Sequence, residues 1–158
     1  MRTRIERIEK EAIDEFNEHM ETVLDILEYE NISRIWLERK EPSVRDGRRK
    51  VSKSTFDLHI IRQTESGVTY EDTIEHLSES EREVTGLIFA LSGYLAHEVY
   101  ETVPFMLLDS VEAIDSSRIA TLVEYMESFC EYLVVALLPE DAAPLEETQE
   151  LIGATALQ

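Results

Sequence analysis

Apolar residues recur every three or four positions along the first stretch of the chain: Ile5, Ile8, Ala12, Phe16, Met20, Val23, Leu24 and Leu27, with acids and bases between them. That period predicts one amphipathic helix over residues 4–28. Its first part, with Ile5, Ile8 and Ala12 among charges, has the narrow seam of a coiled-coil strand. Beyond Phe16 the apolar face widens, as it does when a helix enters a packed core. The chain therefore reads as beginning at the end of a coiled coil.

The period then changes. Ile32–Arg39 and Thr55–Arg62 alternate apolar and polar residues, which predicts two strands forming an antiparallel pair. A long polar loop around the turn dipeptide Asp46-Gly47 is expected between them. After a short loop with Gly67, the run Leu77-Ser78-Glu79-Ser80-Glu81 opens a helix whose apolar face is Val84, Leu87, Ile88, Leu91 and Leu95. Phe105–Leu108 is an unbroken apolar run that ends in Asp109. A helix with Ile119, Leu122, Val123, Met126 and Phe129 follows. A second apolar run, Tyr132–Leu138, stops at Pro139. Two such runs separated by a helix predict buried parallel strands in a βαβ unit. The acidic tail is expected to hold a short helix or loose ends. The expected organisation is a coiled-coil end over 1–28, an α/β lobe over 29–141 and the tail over 142–158.

Composition narrows the class. The formal net charge is −19, and the bases are 11 Arg against 4 Lys. This profile is similar to that of proteins from extreme halophiles, which keep an acidic surface at high salt. The alternative is an ordinary acidic protein that avoids nucleic acid. Neither is a general polyanion binder. No run of about 18 apolar residues occurs, and the N-terminus has no signal-peptide core. The single cysteine, Cys130, excludes an internal disulfide framework and sits on an apolar helical stripe, as a buried thiol would. A cytoplasmic protein without membrane partners is expected. His19, His59, His76 and His97 lack metal-ligand spacing, so no zinc site is expected. Trp36 is expected in the core.

Three segments carry candidate chemistry. Ser78 and Glu81 form a capping-box pattern, and a helix N-terminus presents free N–H groups and a positive dipole end to an anion. Asp109, at the C-terminal end of an apolar strand, is either a hard-oxygen ligand for Mg²⁺ or a solvated strand end. Between it and the next helix lies Ser110-Val111-Glu112-Ala113-Ile114-Asp115, where Asp115 or Ser116 is the N-cap. Glu112 is there either a base near the metal or a surface acid.

In this order the three segments resemble the C-terminal lobe of an ABC-type ATPase head. Leu77-Ser78-Glu79-Ser80-Glu81 is similar to the LSGGQ or LSGGE signature, and Phe105–Asp109 to the Walker B strand. Ala113-Ile114-Asp115 is similar to the D-loop, and Tyr132–Leu138 to the last core strand. The leading helix resembles the branch in which a long coiled coil interrupts the head, as in SMC proteins. Phe16–Met20, Leu108–Asp115 and Leu133–Asp141 resemble the archaea-specific, haloarchaeal SMC-related proteins. The resemblance implies an SMC-like ATPase head half with an antiparallel strand pair, a short parallel βαβ core and flanking helices. It further implies that Leu77, Ser78, Ser80, Glu81 and Asp115 serve nucleotide held between two heads. Asp109 would hold Mg²⁺, and Glu112 would be the base. The implied partners are an N-terminal ATPase lobe, a homodimeric second head and DNA, in a cycle serving chromosome segregation or DNA repair.

The sequence departs from the family's pattern in places. Glu79 and Ser80 replace the signature glycines, and Ser110 stands where the catalytic glutamate follows the Walker B aspartate. None of Gly47, Gly67, Gly86, Gly93 and Gly153 lies in a P-loop pattern, so nothing here cradles the α/β-phosphates. The chain reads either as a fragment of a longer protein or as a half that needs a separate P-loop lobe, and it is not expected to hydrolyse ATP alone. The alternative function is a non-catalytic interaction or scaffold module retaining the lobe fold. Arg45, Arg48, Arg49, Lys50 and Lys53 concentrate a third of all basic residues in one loop, which is either a DNA-phosphate contact or a solvated tip.

Overall fold

The fold was examined in a computed structural model that describes residues 2–46, 49–52, 54–64, 66–109, 111–145, 149, 150 and 152. Its hub is helix α1 (Arg2–Leu27), because Phe16, Met20, Val23, Leu24 and Leu27 are all buried. These residues pack against strand β1 (Ile32–Lys40) and helices α2 (Glu79–Ala96) and α3 (Ser116–Met126). The N-terminal part of α1 leaves this core: Ile5 and Ile8 are 53% and 52% exposed, so its narrow apolar seam is open. The change of pattern at Phe16 is thus the point where the helix gains neighbours on all sides of its face.

Strand β1 pairs antiparallel with β4 (Thr55–Gln63), in the register Ile35↔Ile60 and Trp36↔His59. A third strand that the sequence pattern missed, β5 (Thr69–Asp72), completes the order β1-β4-β5. It is short and polar, so alternation does not reveal it. Its turn relies on Gly67, whose φ of +81° favours glycine and whose N–H donates to the Thr64 carbonyl at 2.8 Å. The expected loop between β1 and β4 is instead largely a hairpin of β2 (Ser43–Asp46) and β3 (Arg49–Ser52), paired Val44↔Val51. Cross-strand pairing satisfies its polar backbone, and its four-residue strands are too short for alternation to announce them.

One face of the three-stranded sheet carries Ile35 and Ile60 into the core. The opposite face is a charged ladder, in which Lys40 Nζ donates to Asp57 at 2.7 Å and His59 lies between Glu38 and Glu71. Trp36 is only half-buried on this face, contrary to the core position expected for it. It stacks on His59 at 4.8 Å with the Arg34 guanidinium above it. The outer edge of β1 is closed by α1: the Asn17 amide accepts from Leu37 N–H at 2.7 Å and donates to the Leu37 carbonyl at 3.0 Å.

Strands β6 (Phe105–Leu108) and β7 (Tyr132–Val135) form the expected parallel pair, with α3 between them in sequence. Burial on both faces, however, is not found. Met106 and Leu108 point into the core, whereas Phe105, Leu107, Tyr132 and Val134 are 51%, 59%, 59% and 47% exposed. The apolar run at Tyr132 also yields a shorter strand than its length suggests. After Val135 the chain makes one more ladder bond, from Ala136 N–H to the Leu108 carbonyl, and then turns at Pro139. The tail makes single 3₁₀ turns at Pro139–Asp141 and Ala143–Leu145, and Leu145 is buried against the core.

Candidate functional site

The tip of α2 is built by reciprocal capping. Ser78 Oγ accepts from Glu81 N–H at 3.3 Å, and Glu81 Oε2 accepts from Ser78 N–H at 2.8 Å. Leu77 is buried beneath the tip while Ser78 and Glu79 are exposed, so the apolar residue anchors the turn and the serine faces outward. Ser80 is half-buried with its hydroxyl 3.4 Å from that of Ser78.

Glu81 behaves differently from its neighbours. The sequence grouped it with the nucleotide-facing residues, but its side chain is buried and both oxygens are engaged, one by Ser78 and one by Arg62. It is a tether under the tip. Burial alone would raise its pKa; the Ser78 hydrogen bonds and the Arg62 guanidinium outweigh that and hold it below the usual carboxylate range.

Asp109 follows β6 and is exposed at the strand's C-terminal end. It lines a cavity of about 280 Å³ with Glu83, Gly86, Leu87, Ala90, Ala113 and Ile114. The small side chains of Gly86 and Ala90 on α2 leave this room, and a Cβ at Gly86 would meet nothing within 4 Å. Asp109 therefore abuts the flank of α2 from Glu83 onward, rather than its Ser78 end. Ser110 lies outside the described residues. Val111 and Ile114 are buried and pin the next turn, closed by a bond from Ile114 N–H to the Val111 carbonyl at 3.0 Å. That anchoring leaves Glu112 and Asp115 exposed. Asp115 is the N-cap of α3, accepting from Ser117 N–H at 2.9 Å and from Ser117 Oγ at 2.6 Å. Those two bonds hold its carboxyl below the ordinary range.

The basic segment divides between the strands of the hairpin, with Arg45 opposite Lys50 and Asp46 opposite Arg49. Arg48 and Lys53 lie outside the described residues. No group of three or more His, Cys, Asp or Glu that could hold a metal occurs among the described residues. The chemistry of a strand-end carboxylate such as Asp109 fits Mg²⁺ nonetheless, since that ion takes one or two carboxylates and fills its shell with phosphate oxygens and water. Sequence reasoning missed Arg62, although the alternation Leu58, Ile60, Arg62 assigns it to the inner face of β4.

No family model matches the chain. Two solved structures share the fold. A chain described as "Structural biochemistry of ATP-driven dimerization and DNA stimulated activation of SMC ATPases" has a TM-score of 0.60 at 16% identity, covering 93% of this chain and 80% of that one. The Smc head domain with an extended coiled coil bound to the C-terminal domain of ScpA, derived from Pyrococcus furiosus, has a TM-score of 0.51 at 18% identity, over 83% of this chain and 30% of that one. The likeness is one of fold, and the fold is that of the C-terminal lobe of an SMC-type ATPase head.

The particular relatives are haloarchaeal Smc-like proteins, as the sequence resemblance implied. Smc-like protein Sph3 of Haloferax volcanii is 65% identical over 145 residues, which is 92% of this chain and 22% of that protein. Smc-like protein Sph2 of Halobacterium salinarum is 56% identical over 148 residues, 91% of this chain and 22% of that protein. The chain thus spans about a fifth of the length of these relatives. No helix among the described residues is long and apolar enough to cross a membrane.

Proposed function

We propose that this chain is the C-terminal half of an ATP-binding SMC-like head, acting in the cytoplasm, which engages a second head when ATP is bound. The observation that carries this reading is an exposed, capped serine at the tip of α2 combined with the strand-end Asp109, in that order on an SMC-head fold. Ser78 and Ser80 would face the phosphates of nucleotide held by the opposite head, where the dipole end of α2 favours anions. Leu77 and Glu81 would fix that tip from beneath. Asp109 would hold Mg²⁺ in its own head, the ion supplying charge neutralisation on the phosphates when bound. Glu112 would orient or deprotonate water, and Asp115 would meet its counterpart across the dimer.

The open face of β6 and β7 supports an incomplete head. Parallel sheets are ordinarily covered on both faces, and here Phe105 pairs with Tyr132, and Leu107 with Val134, in an exposed apolar patch. We assign this patch to the missing P-loop lobe, carried by a longer chain or a separate protein. The proposed division is 1–28 as coiled-coil end, 29–141 as lobe and 142–158 as tail. DNA contact by Arg45, Arg48, Arg49, Lys50 and Lys53, in segregation or repair, belongs to the same proposal.

The test supplies a separately expressed P-loop lobe at molar salt and follows Mg-ATP-dependent dimerisation by light scattering. Asp109→Asn is expected to abolish it, and Glu112→Gln to slow turnover while dimers persist. Unchanged dimerisation by Asp109→Asn would remove Asp109 from the metal site. A second reading, a non-catalytic scaffold, is favoured by Ser110 after Asp109 and by Glu79 and Ser80 at the glycine positions. Dimerisation indifferent to ATP would select it.

A further inference from the structure

A cation on the core face of a sheet calls for explanation, and Arg62 is one. Leu58, Ile60 and Arg62 share the inner face of β4, with Ile60 fully buried, so the alternation that builds the core ends in a guanidinium. Its two arms diverge. Nη1 donates to Asp72 Oδ2 on β5 at 3.1 Å, and Nη2 donates to Glu81 Oε1 on α2 at 2.5 Å. Asp72 is itself held, its other oxygen accepting from Thr73 N–H at 2.9 Å and pairing with His76 Nδ1 at 2.8 Å. Arg62 Nε is buried with no hydrogen-bond partner, so the arrangement does not maximise bonding.

Stability alone accounts poorly for this part-buried cluster, in which the side chains of Asp72 and Glu81 are 9% and 5% exposed and that of Arg62 21%. Buried ion pairs are often matched or bettered by apolar side chains of similar volume, and are kept in some proteins because they select one geometry. The geometry selected here is that of the α2 tip. Glu81 is the third residue of the helix, and its second oxygen caps Ser78 N–H. Fixing the Glu81 carboxylate from the sheet therefore fixes the turn that presents Ser78. A capping box on its own would let this turn fray with the helix end.

We infer that Arg62 is a positioning residue: by clamping Glu81 to Asp72, it makes the antiparallel sheet the reference that aims Ser78 at the opposite head. This rests on the function proposed above, and two measurements separate the fate of each. The protein tested is the Haloferax volcanii Smc-like protein with this chain in place of its matching segment, at molar KCl. Hydrogen exchange reads the tip, and ATP-dependent dimerisation reads engagement. Arg62→Met is expected to speed amide exchange at Ser78–Glu81 at least about tenfold while Ile88–Leu91 keeps its protection. Dimerisation should weaken by about tenfold or more, with nucleotide affinity within about twofold of wild type. Arg62→Lys, a cation without the fork, should fall between.

The triple variant Arg62→Met/Asp72→Asn/Glu81→Gln removes all three charges and keeps an amide that can cap Ser78. It is expected to keep the wild-type melting temperature yet still dimerise poorly, a split that a purely structural pair would not produce. Should Arg62→Met fail to fold, the lysine and triple variants carry the test. Wild-type exchange and dimerisation in these variants, while Ser78→Arg blocks dimerisation, would overturn the inference and leave the function standing. If Ser78→Arg also dimerises normally, the nucleotide reading has failed, and tip exchange alone then decides: selective acceleration supports the clamp, and no change overturns it.

Discussion

The two main sheets of this chain meet solvent in opposite ways. The outer face of β1-β4-β5 is a ladder of Lys40, Asp57, Glu38, His59 and Glu71, and its β1 edge is sealed by Asn17. The outer face of β6-β7 is apolar and uncovered. Among the described residues, the first sheet turns charged side chains to solvent and the second turns apolar ones. The contrast teaches that one lobe can fold around a single core and still leave an apolar sheet face exposed. The hydrophobic effect is indifferent to chain identity, so under the proposed function the same kind of surface that closes the fold inside would drive assembly outside.

The contrast can be sharpened from the largest expected effect downward. Acidification should act through the antiparallel side. Glu38 and Asp57 are depressed by hydrogen bonds from Lys40, and Asp72 first by the Thr73 N–H and then by Arg62 and His76. Glu81 is raised by burial but depressed on balance. A carboxylate with a lowered folded-state pKa contributes stability that is complete above its unfolded pKa and is lost as pH falls through the folded one. Stability is therefore expected to hold from about pH 8 to 5 and to fall below about pH 4, with amides of β4 and β5 losing protection first in hydrogen exchange. Loss beginning in β6 and β7 would reverse the comparison.

Ile60→Ala, on the buried face of the first sheet, should cost about 3 kcal/mol in urea unfolding at molar salt. Asn17→Ala strands both Leu37 backbone groups at the edge of β1 and should cost about 2 kcal/mol by the same measurement. Leu107→Ala, on the open face, should change the stability of this chain by no more than about 0.5 kcal/mol. Its effect should emerge as weaker binding of the P-loop lobe. A cost for Leu107→Ala near that of Ile60→Ala would mean the face is already covered.

Periodic elements were legible in the sequence because each carried its own signal. The widening stripe of α1, the alternation of β1 and β4, and the Ser78–Glu81 capping pattern all appear where their residues imply. So does the order of acid-ended strand, helix and second apolar strand. Short segments were not legible: β5 and the strands of the β2–β3 hairpin are four residues each and too short to carry a period. Trp36 was misassigned because a strand alternates between two faces, and sequence does not say which one meets solvent. The candidate tip was visible as a pattern. That Glu81 turns inward to Arg62 was not, because those residues meet across 19 positions of chain.

The sequence by itself determined the periodic elements, the caps of α2 and α3, the acidic composition and the order of motifs, since these depend on neighbours within a few residues. Tertiary structure alone decided three things: that α1 is the hub, that the parallel pair keeps one face open, and that the Ser78 tip is held from the antiparallel sheet. Each depends on which surfaces come together, and burial and ion pairing between distant segments have no period along the chain.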